Sequence, residues 1–199
     1  MITGFRPFPG VPNNPSSLLL ESLRTDSGWV EDPSVSTRFI LLDTVYEGLA
    51  ETIEQALAAE PDALVMTGYS ALATGLKLET SARDCFTVEK PDASGFLPAT
   101  SEASNVCALN EGIDFDAMTS ALEQSGVDAC LSDDAGAYVC NRAYWLALEL
   151  IRRERLRTRA LFVHIPAIDG MADAPEGARR MSLADLRRGM GIIVEQLVR

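Results

Sequence analysis

Short apolar runs rich in β-branched and aliphatic residues alternate along the chain with segments whose apolar residues recur at helical spacing, and this alternation most constrains the fold. Residues 1–4, 37–42, 63–66, 129–132 and 160–164 read as strands, and residues 16–23, 46–59, 115–124, 141–153 and 182–198 as helices. Asp114 stands where it caps the third helix and Gly126 where it stops it. The pattern predicts an α/β fold, a mostly parallel twisted sheet with helices on both faces. A chain of 199 residues with 47% hydrophobic content fits a single domain spanning residues 1–199. Residues 87–112, rich in Pro, Ser, Ala and Asn, show little periodicity and predict a long excursion with short strands.

Charge and composition narrow the function classes. The formal net charge is −12, so phosphate backbones and anionic membranes are repelled on average and nucleic acid is not an expected partner. The basic stretch Arg152-Arg153-Glu154-Arg155-Leu156-Arg157-Thr158-Arg159 is the exception. It closes a helix, where cations complement the dipole. No apolar run reaches the roughly 18 residues of a membrane span, and no basic-then-apolar leader opens the chain. A cytoplasmic protein without a membrane partner is expected. The cysteines, at 85, 107, 130 and 140, lack C-x-x-C spacing, and there is a single histidine, so no metal site, no cofactor and reduced thiols are expected.

Three segments hold candidate chemistry. Leu131-Ser132-Asp133-Asp134-Ala135-Gly136-Ala137-Tyr138-Val139-Cys140-Asn141 runs from a strand through an Asp/Gly turn into a long helix. That places Cys140 at a helix N-terminus, where unpaired N–H groups and the dipole favour a thiolate. The alternative is a small buried hydrophobe. His164 ends the run Ala160-Leu161-Phe162-Val163-His164-Ile165-Pro166, and Pro166 stops the ladder, leaving His164 at the strand's C-terminal rim, where α/β sites collect. The alternative is a hydrogen-bonded structural histidine. Glu79 lies past the strand at 63–66 on a second short alternating run; among 29 acidic residues, a surface carboxylate is its default reading.

These segments also carry a resemblance. Thr3-Gly4-Phe5-Arg6-Pro7-Phe8-Pro9-Gly10 resembles the G-F-x-P-F-x-G signature of the pyroglutamyl peptidase I family, cysteine exopeptidases that remove N-terminal pyroglutamate, and Asn14-Pro15-Ser16 matches its N-P-S/A. Ala135 to Asn141 resembles A-G-T-Y/F-V-C-N with Ala137 for Thr, Phe162 to Pro166 meets F-I/V-H-V/I-P, and Arg180-Met181-Ser182-Leu183 echoes a late motif. The resemblance implies a cysteine exopeptidase acting on N-terminal pyroglutamyl peptides through an acyl-enzyme. In it Cys140 is the nucleophile, His164 the general base and acid, and Glu79 the residue that orients the imidazole. Phe5 and Phe8 become aromatic walls for a flat lactam, Asn14 supports their loop, and Tyr138 and Val139 contribute near the nucleophile. Homo-oligomeric assembly is implied as well.

The departures from the family are as specific as the matches. Its G-x-x-G-G-R is replaced by Gly68-Tyr69-Ser70-Ala71-Leu72-Ala73, with Tyr69 where a glutamine often stands at the substrate pocket. The arginine ten residues past the acid is replaced by Glu89, an anion expected to oppose the thiolate, and Lys90 follows on a segment read as extended. These losses motivate the alternative of a weak or silent homologue that binds a ligand or partner. A glutaminase of the amidotransferase type is disfavoured, because Pro166 occupies the place of the acid that usually lies two residues past the histidine. The chain also begins unusually close to Thr3-Gly4-Phe5, which predicts a short first edge or a displaced start site.

Overall fold

The computed structural model describes residues 1–26, 28–100 and 107–199. In chain order the elements are β1 (Ile2–Phe5), α1 (Pro15–Thr25), β2 (Phe39–Leu42), α2 (Leu49–Leu57), β3 (Ala63–Tyr69), β4 (Leu76–Glu79), β5 (Ser81–Arg83) and β6 (Cys107–Leu109). There follow α3 (Phe115–Gln124), β7 (Ala129–Ser132), α4 (Val139–Glu154), β8 (Arg159–Ile165), β9 (Ala167–Ile168), β10 (Arg180–Met181) and α5 (Leu183–Val198). The central sheet has six strands in the order β2-β1-β3-β8-β4-β7. Strands β2, β1, β3 and β8 run parallel; β4 is antiparallel to β8, and β7 is parallel to β4. The fold is thus α/β with a mostly parallel sheet.

Side chains alternate across the strands, so each face collects its own core. On one face Val65, Val163 and Leu78 meet Leu19 and Leu23 of α1, Met118 and Leu122 of α3, and Met190 and Ile193 of α5. On the other, Leu64, Met66 and Phe162 meet Ile53 and Leu57 of α2 and Ala143 and Ala147 of α4. Because β8 is covered on both sides, it reads as a nearly continuous apolar run. Helix starts follow capping chemistry. Asn14 accepts from the Ser16 N–H with Pro15 opening α1, Asp114 accepts from Ala117, and Ser182 accepts from Asp185.

Two features differ from the sequence expectation. The strand before the cysteine segment, β7, runs against β8, so its end does not share the C-terminal edge of β8. Residues 133–138 carry the chain back to that edge before α4 begins. The second feature is a two-residue parallel pairing of β9 with β10, too short to leave a pattern in sequence. The excursion after β5 does return a short strand, β6, antiparallel to β5.

Helix α5 approaches its neighbours through glycine. A Cβ at Gly191 would stand 2.1 Å from the Trp29 main-chain oxygen, and one at Gly189 would stand 2.4 Å from Leu76 Cδ1. Intrinsic propensity favours Ala over Gly in a helix interior by about 1 kcal/mol. Overpacking against backbone, which cannot rotate away, costs about 1–3 kcal/mol. Gly191→Ala is therefore expected to lower the denaturation midpoint at unchanged m-value. A stabilised variant would show that the Trp29 segment yields freely.

Candidate active site

Glu79 ends β4 with its side chain fully buried, and its Oε1 lies 2.7 Å from His164 Nδ1. A carboxylate at Nδ1 selects the tautomer with the proton on that nitrogen and leaves Nε2 as acceptor. The pairing register explains the meeting. Lys77 stands opposite His164 and Glu79 opposite Phe162, so all four side chains share the face covered by α4. Tyr144, one turn beyond Cys140 and wholly buried, donates its hydroxyl to the Glu79 main-chain oxygen at 2.9 Å. Asn110 in turn donates to the Tyr144 hydroxyl and to the Ala160 carbonyl.

Cys140 is the second residue of α4, and Tyr138 caps the helix without a side-chain hydrogen bond. The first intrahelical bond recorded there runs from the Arg142 N–H to the Tyr138 carbonyl, so the amides before it have no partner within the helix. A Cβ on Gly68 would meet Cys140 Sγ at 2.9 Å and Phe162 Cζ at 2.8 Å. Only glycine leaves that seat open. Gly68 is the ladder partner of His164, and parallel strands lie about 4.8 Å apart. The thiol is therefore seated beside the histidine. Burial pushes the Cys140 thiol up to about 12; the Glu79 charge adds to the rise and Lys90 opposes it.

A cavity of about 300 Å³ opens over the thiol, walled by Phe5, Phe8, Tyr69, Tyr138, Met171 and Asp173. Asn14 also borders it while anchoring the loop through its Nδ2 on the Arg6 carbonyl. Thr44 and Tyr69 present buried hydroxyls with no hydrogen-bond partner among the described residues. Larger clefts of about 820 and 720 Å³ lie along the C-terminal half of α4 and beside Met1, and neither contains a candidate residue.

The structure corrects two expectations here. The Val139 side chain does not line the cavity: it is wholly buried in the core, because successive helical residues point about 100° apart and Cys140 takes the cavity side, so only the Val139 backbone remains near the nucleophile candidate. Nor does Glu89 stand by the thiol. Residues 88–90 bend rather than extend, so strict alternation fails; Glu89 is exposed, and Lys90 joins the cavity wall instead. The Lys90 ammonium lies 4.6 Å from the Tyr138 ring centre and 5.5 Å from that of Phe8, within cation–π range. Sequence reasoning missed Thr44, which its place just past a strand end marked, and Met171 and Asp173, which nothing marked. Among the described residues no cluster of three or more His, Cys, Asp or Glu side chains sits where it would hold a metal, and no helix is long and apolar enough to cross a membrane.

The same arrangement of elements recurs in solved proteins. The crystal structure of pyroglutamyl peptidase I from Bacillus amyloliquefaciens superposes with a TM-score of 0.86 at 24% identity, covering 99% of this chain and 95% of that one. Pyrrolidone carboxyl peptidase from Fervidobacterium islandicum superposes at 0.86 with 25% identity, covering 98% and 96%. In sequence, pyrrolidone-carboxylate peptidase 1 of Streptococcus pneumoniae is 30% identical over 202 aligned positions, covering 100% of this chain and 92% of the relative. A Streptococcus pyogenes pyrrolidone-carboxylate peptidase is 29% identical, covering 100% and 91%. The profile of the pyroglutamyl peptidase family matches residues 1–199 from end to end. This chain belongs to the pyroglutamyl peptidase family of cysteine peptidases.

Proposed function

We propose that the protein hydrolyses the amide bond that follows an N-terminal pyroglutamate, with Cys140 as nucleophile, His164 as general base and acid, and Glu79 orienting the imidazole. The seating of Cys140 Sγ over Gly68, the ladder partner of the Glu79-bound His164, carries this reading. As Sγ bonds to the acyl carbon, its proton passes to His164 Nε2 and the carbonyl oxygen takes up negative charge. The N–H groups at the start of α4 that have no partner within the helix are the natural donors to that oxygen. Collapse breaks the C–N bond, His164 returns the proton to the departing amine, and water then cleaves the thioester by the reverse proton path. Phe5, Phe8 and Tyr138 offer apolar faces to a planar lactam, while the spare hydroxyls of Thr44 and Tyr69 suit its N–H and C=O. The scheme calls on no cofactor or metal. It needs a reduced thiol, which suits a cytoplasmic setting, and homo-oligomeric assembly belongs to the same proposal; sedimentation of the purified protein tests the latter.

Release of a fluorophore from a pyroglutamyl amide tests the reading directly. Cys140→Ala is expected to lower kcat/KM by about a thousandfold or more. Cys130→Ala, on the exposed surface of edge strand β7, should leave it unchanged, as should EDTA. No turnover by the wild type would favour a ligand-binding homologue instead. Equal losses from both substitutions would move the nucleophile elsewhere.

Gly68→Ala should displace the thiol from its seat and cost at least about tenfold in kcat/KM, since a misplacement near 1 Å can cost a hundredfold. Unchanged activity would show that Cys140 reacts from a different position. Lys90→Met should slow alkylation of Cys140 by iodoacetamide about two- to fivefold near neutral pH, the screened effect of losing one nearby cation. Glu89→Gln should match the wild type. The opposite ranking would return the controlling charge to Glu89.

A further inference from the structure

The acid that holds His164 has a second charged neighbour. Lys77 and Glu79 lie two residues apart on β4 and share a face, with Lys77 directly across the ladder from His164. Lys77 Nζ stands 3.6 Å from Glu79 Oε1, the oxygen that contacts His164 Nδ1 at 2.7 Å. It also donates to the Asp134 carbonyl at 3.3 Å, in the turn that leads into α4. Glu79 is fully buried, and its Oε2 has no hydrogen-bond partner among the described residues. A carboxylate in that position needs charge compensation, because an ion taken out of water is costly unless a partner replaces its hydration. His164 provides it only when protonated. Lys77 is the second basic group at that oxygen.

We propose that Lys77 is a positioning residue of this active site: its ammonium supplies the standing counter-charge that keeps the Glu79 carboxylate aimed at His164 and limits the negative field that Glu79 casts on Cys140. The inference rests on the assignment of Cys140, His164 and Glu79 given above. It also makes sense of a lysine whose stem is largely covered, its side chain only 31% exposed, on a short strand beside the reacting groups. When His164 takes the thiol proton, Glu79 balances the imidazolium. Before that transfer, Lys77 balances Glu79.

Other charges bear on the same groups. From α4 come the Tyr144 hydroxyl, on the Glu79 carbonyl, and Cys140 itself. From β8 comes His164, and from the turn after β7 comes Asp134, which is paired with Arg83 of β5. From the cavity wall come Lys90 and Tyr138, and from the loop between β2 and α2 comes Tyr46, with Cys85 beyond. Of these, Lys77 is the one cation in contact with the Glu79 carboxylate apart from protonated His164, among the described residues.

The test compares wild type, Lys77→Gln and Lys77→Arg over a range of pH, following kcat/KM for a pyroglutamyl amide and, separately, the rate at which iodoacetamide alkylates Cys140. Without the ammonium, the charge of Glu79 opposes thiolate formation unchecked, since like charge disfavours the charged form. Lys77→Gln should therefore move the acid limb of kcat/KM upward by about half to one pH unit. At a fixed pH below the thiol midpoint it should slow alkylation about three- to tenfold, the size expected of one partly screened charge several ångströms away. Lys77→Arg should superimpose on the wild type. A Lys77→Gln profile that is unshifted or shifted downward overturns the proposal. So does a Lys77→Arg profile displaced as far as that of Lys77→Gln, which would make the residue a matter of packing. Should Lys77→Gln fail to fold, Lys77→Arg still decides: a shift in a variant that keeps the charge refutes the role, and superposition supports it. Alkylation requires no substrate, so a protein that alkylates as expected yet releases no pyroglutamate separates an error in the substrate from an error in this inference.

Discussion

Glu79 places a carboxylate at zero solvent exposure between Phe162 and Tyr144, and a charge there is tolerated only if the surroundings are built to receive it. Leaving such a group without partners after removing it from water costs several kcal/mol, a large fraction of a domain's net stability. His164 and Lys77 meet one carboxylate oxygen, and Tyr144 fixes the residue's own carbonyl. Tyr144 and Cys140 are carried by one helix. The helix that carries Cys140 thus also clamps Glu79, and Glu79 holds the His164 ring. Movement of α4 along its axis would disturb all three together.

The reversal of β4 gives this buried acid its place. Because β4 runs against β8, Lys77 falls across from His164 and Glu79 across from Phe162, and the period of two sends both side chains to the face that α4 covers. Alignment of β3 with β8 then sets Gly68 beside His164 on that face, and the missing side chain leaves a hole the size of a sulfur. Two further ties fix the loop beneath the helix. Asn141 accepts from the Arg83 N–H and donates to the Arg83 carbonyl, and the Thr87 N–H donates to the Ala137 carbonyl. Gly136, at a φ of 82°, supplies the left-handed turn that bends the chain back toward the sheet edge.

Much of the fold was legible because its signals are local. The bounds of α3 and β7 agree with the periodicity to the residue, since Asp114 caps, Gly126 stops and the apolar run between turns is short. Strand direction was not legible. The reversed pair β4 and β7 carries no mark of its direction, because direction is decided by how connections pack and not by side-chain spacing. At the site, Cys140 and His164 announced themselves through a helix start and a strand end. Glu79 had no such mark: its burial comes from tertiary pairing with β8, and one acid among many has no local pattern. Val139 was misplaced for a simpler reason. A motif groups neighbours in sequence, whereas a helix turns each neighbour about 100° away, so Val139 went to the core while Cys140 stayed at the cavity.

The electrostatics around the thiol bear on how the site works. A helix N-terminus alone would favour a standing thiolate, yet burial and the charge of Glu79 push the Cys140 thiol up and oppose it. In the proposed scheme the thiol proton leaves as the bond to carbon forms, so the placement of the His164 acceptor nitrogen matters alongside the charge of the sulfur. On that reading a buried carboxylate, a lysine and a tyrosine clamp serve the orientation of one imidazole. Lys90 works from the opposite side, held against the Tyr138 and Phe8 rings at the cavity wall, where its charge eases thiolate formation. Two lysines thus frame the candidate site. Lys77 contacts Glu79 behind the histidine, and Lys90 lies at the cavity wall, where its charge pulls the thiol pKa down.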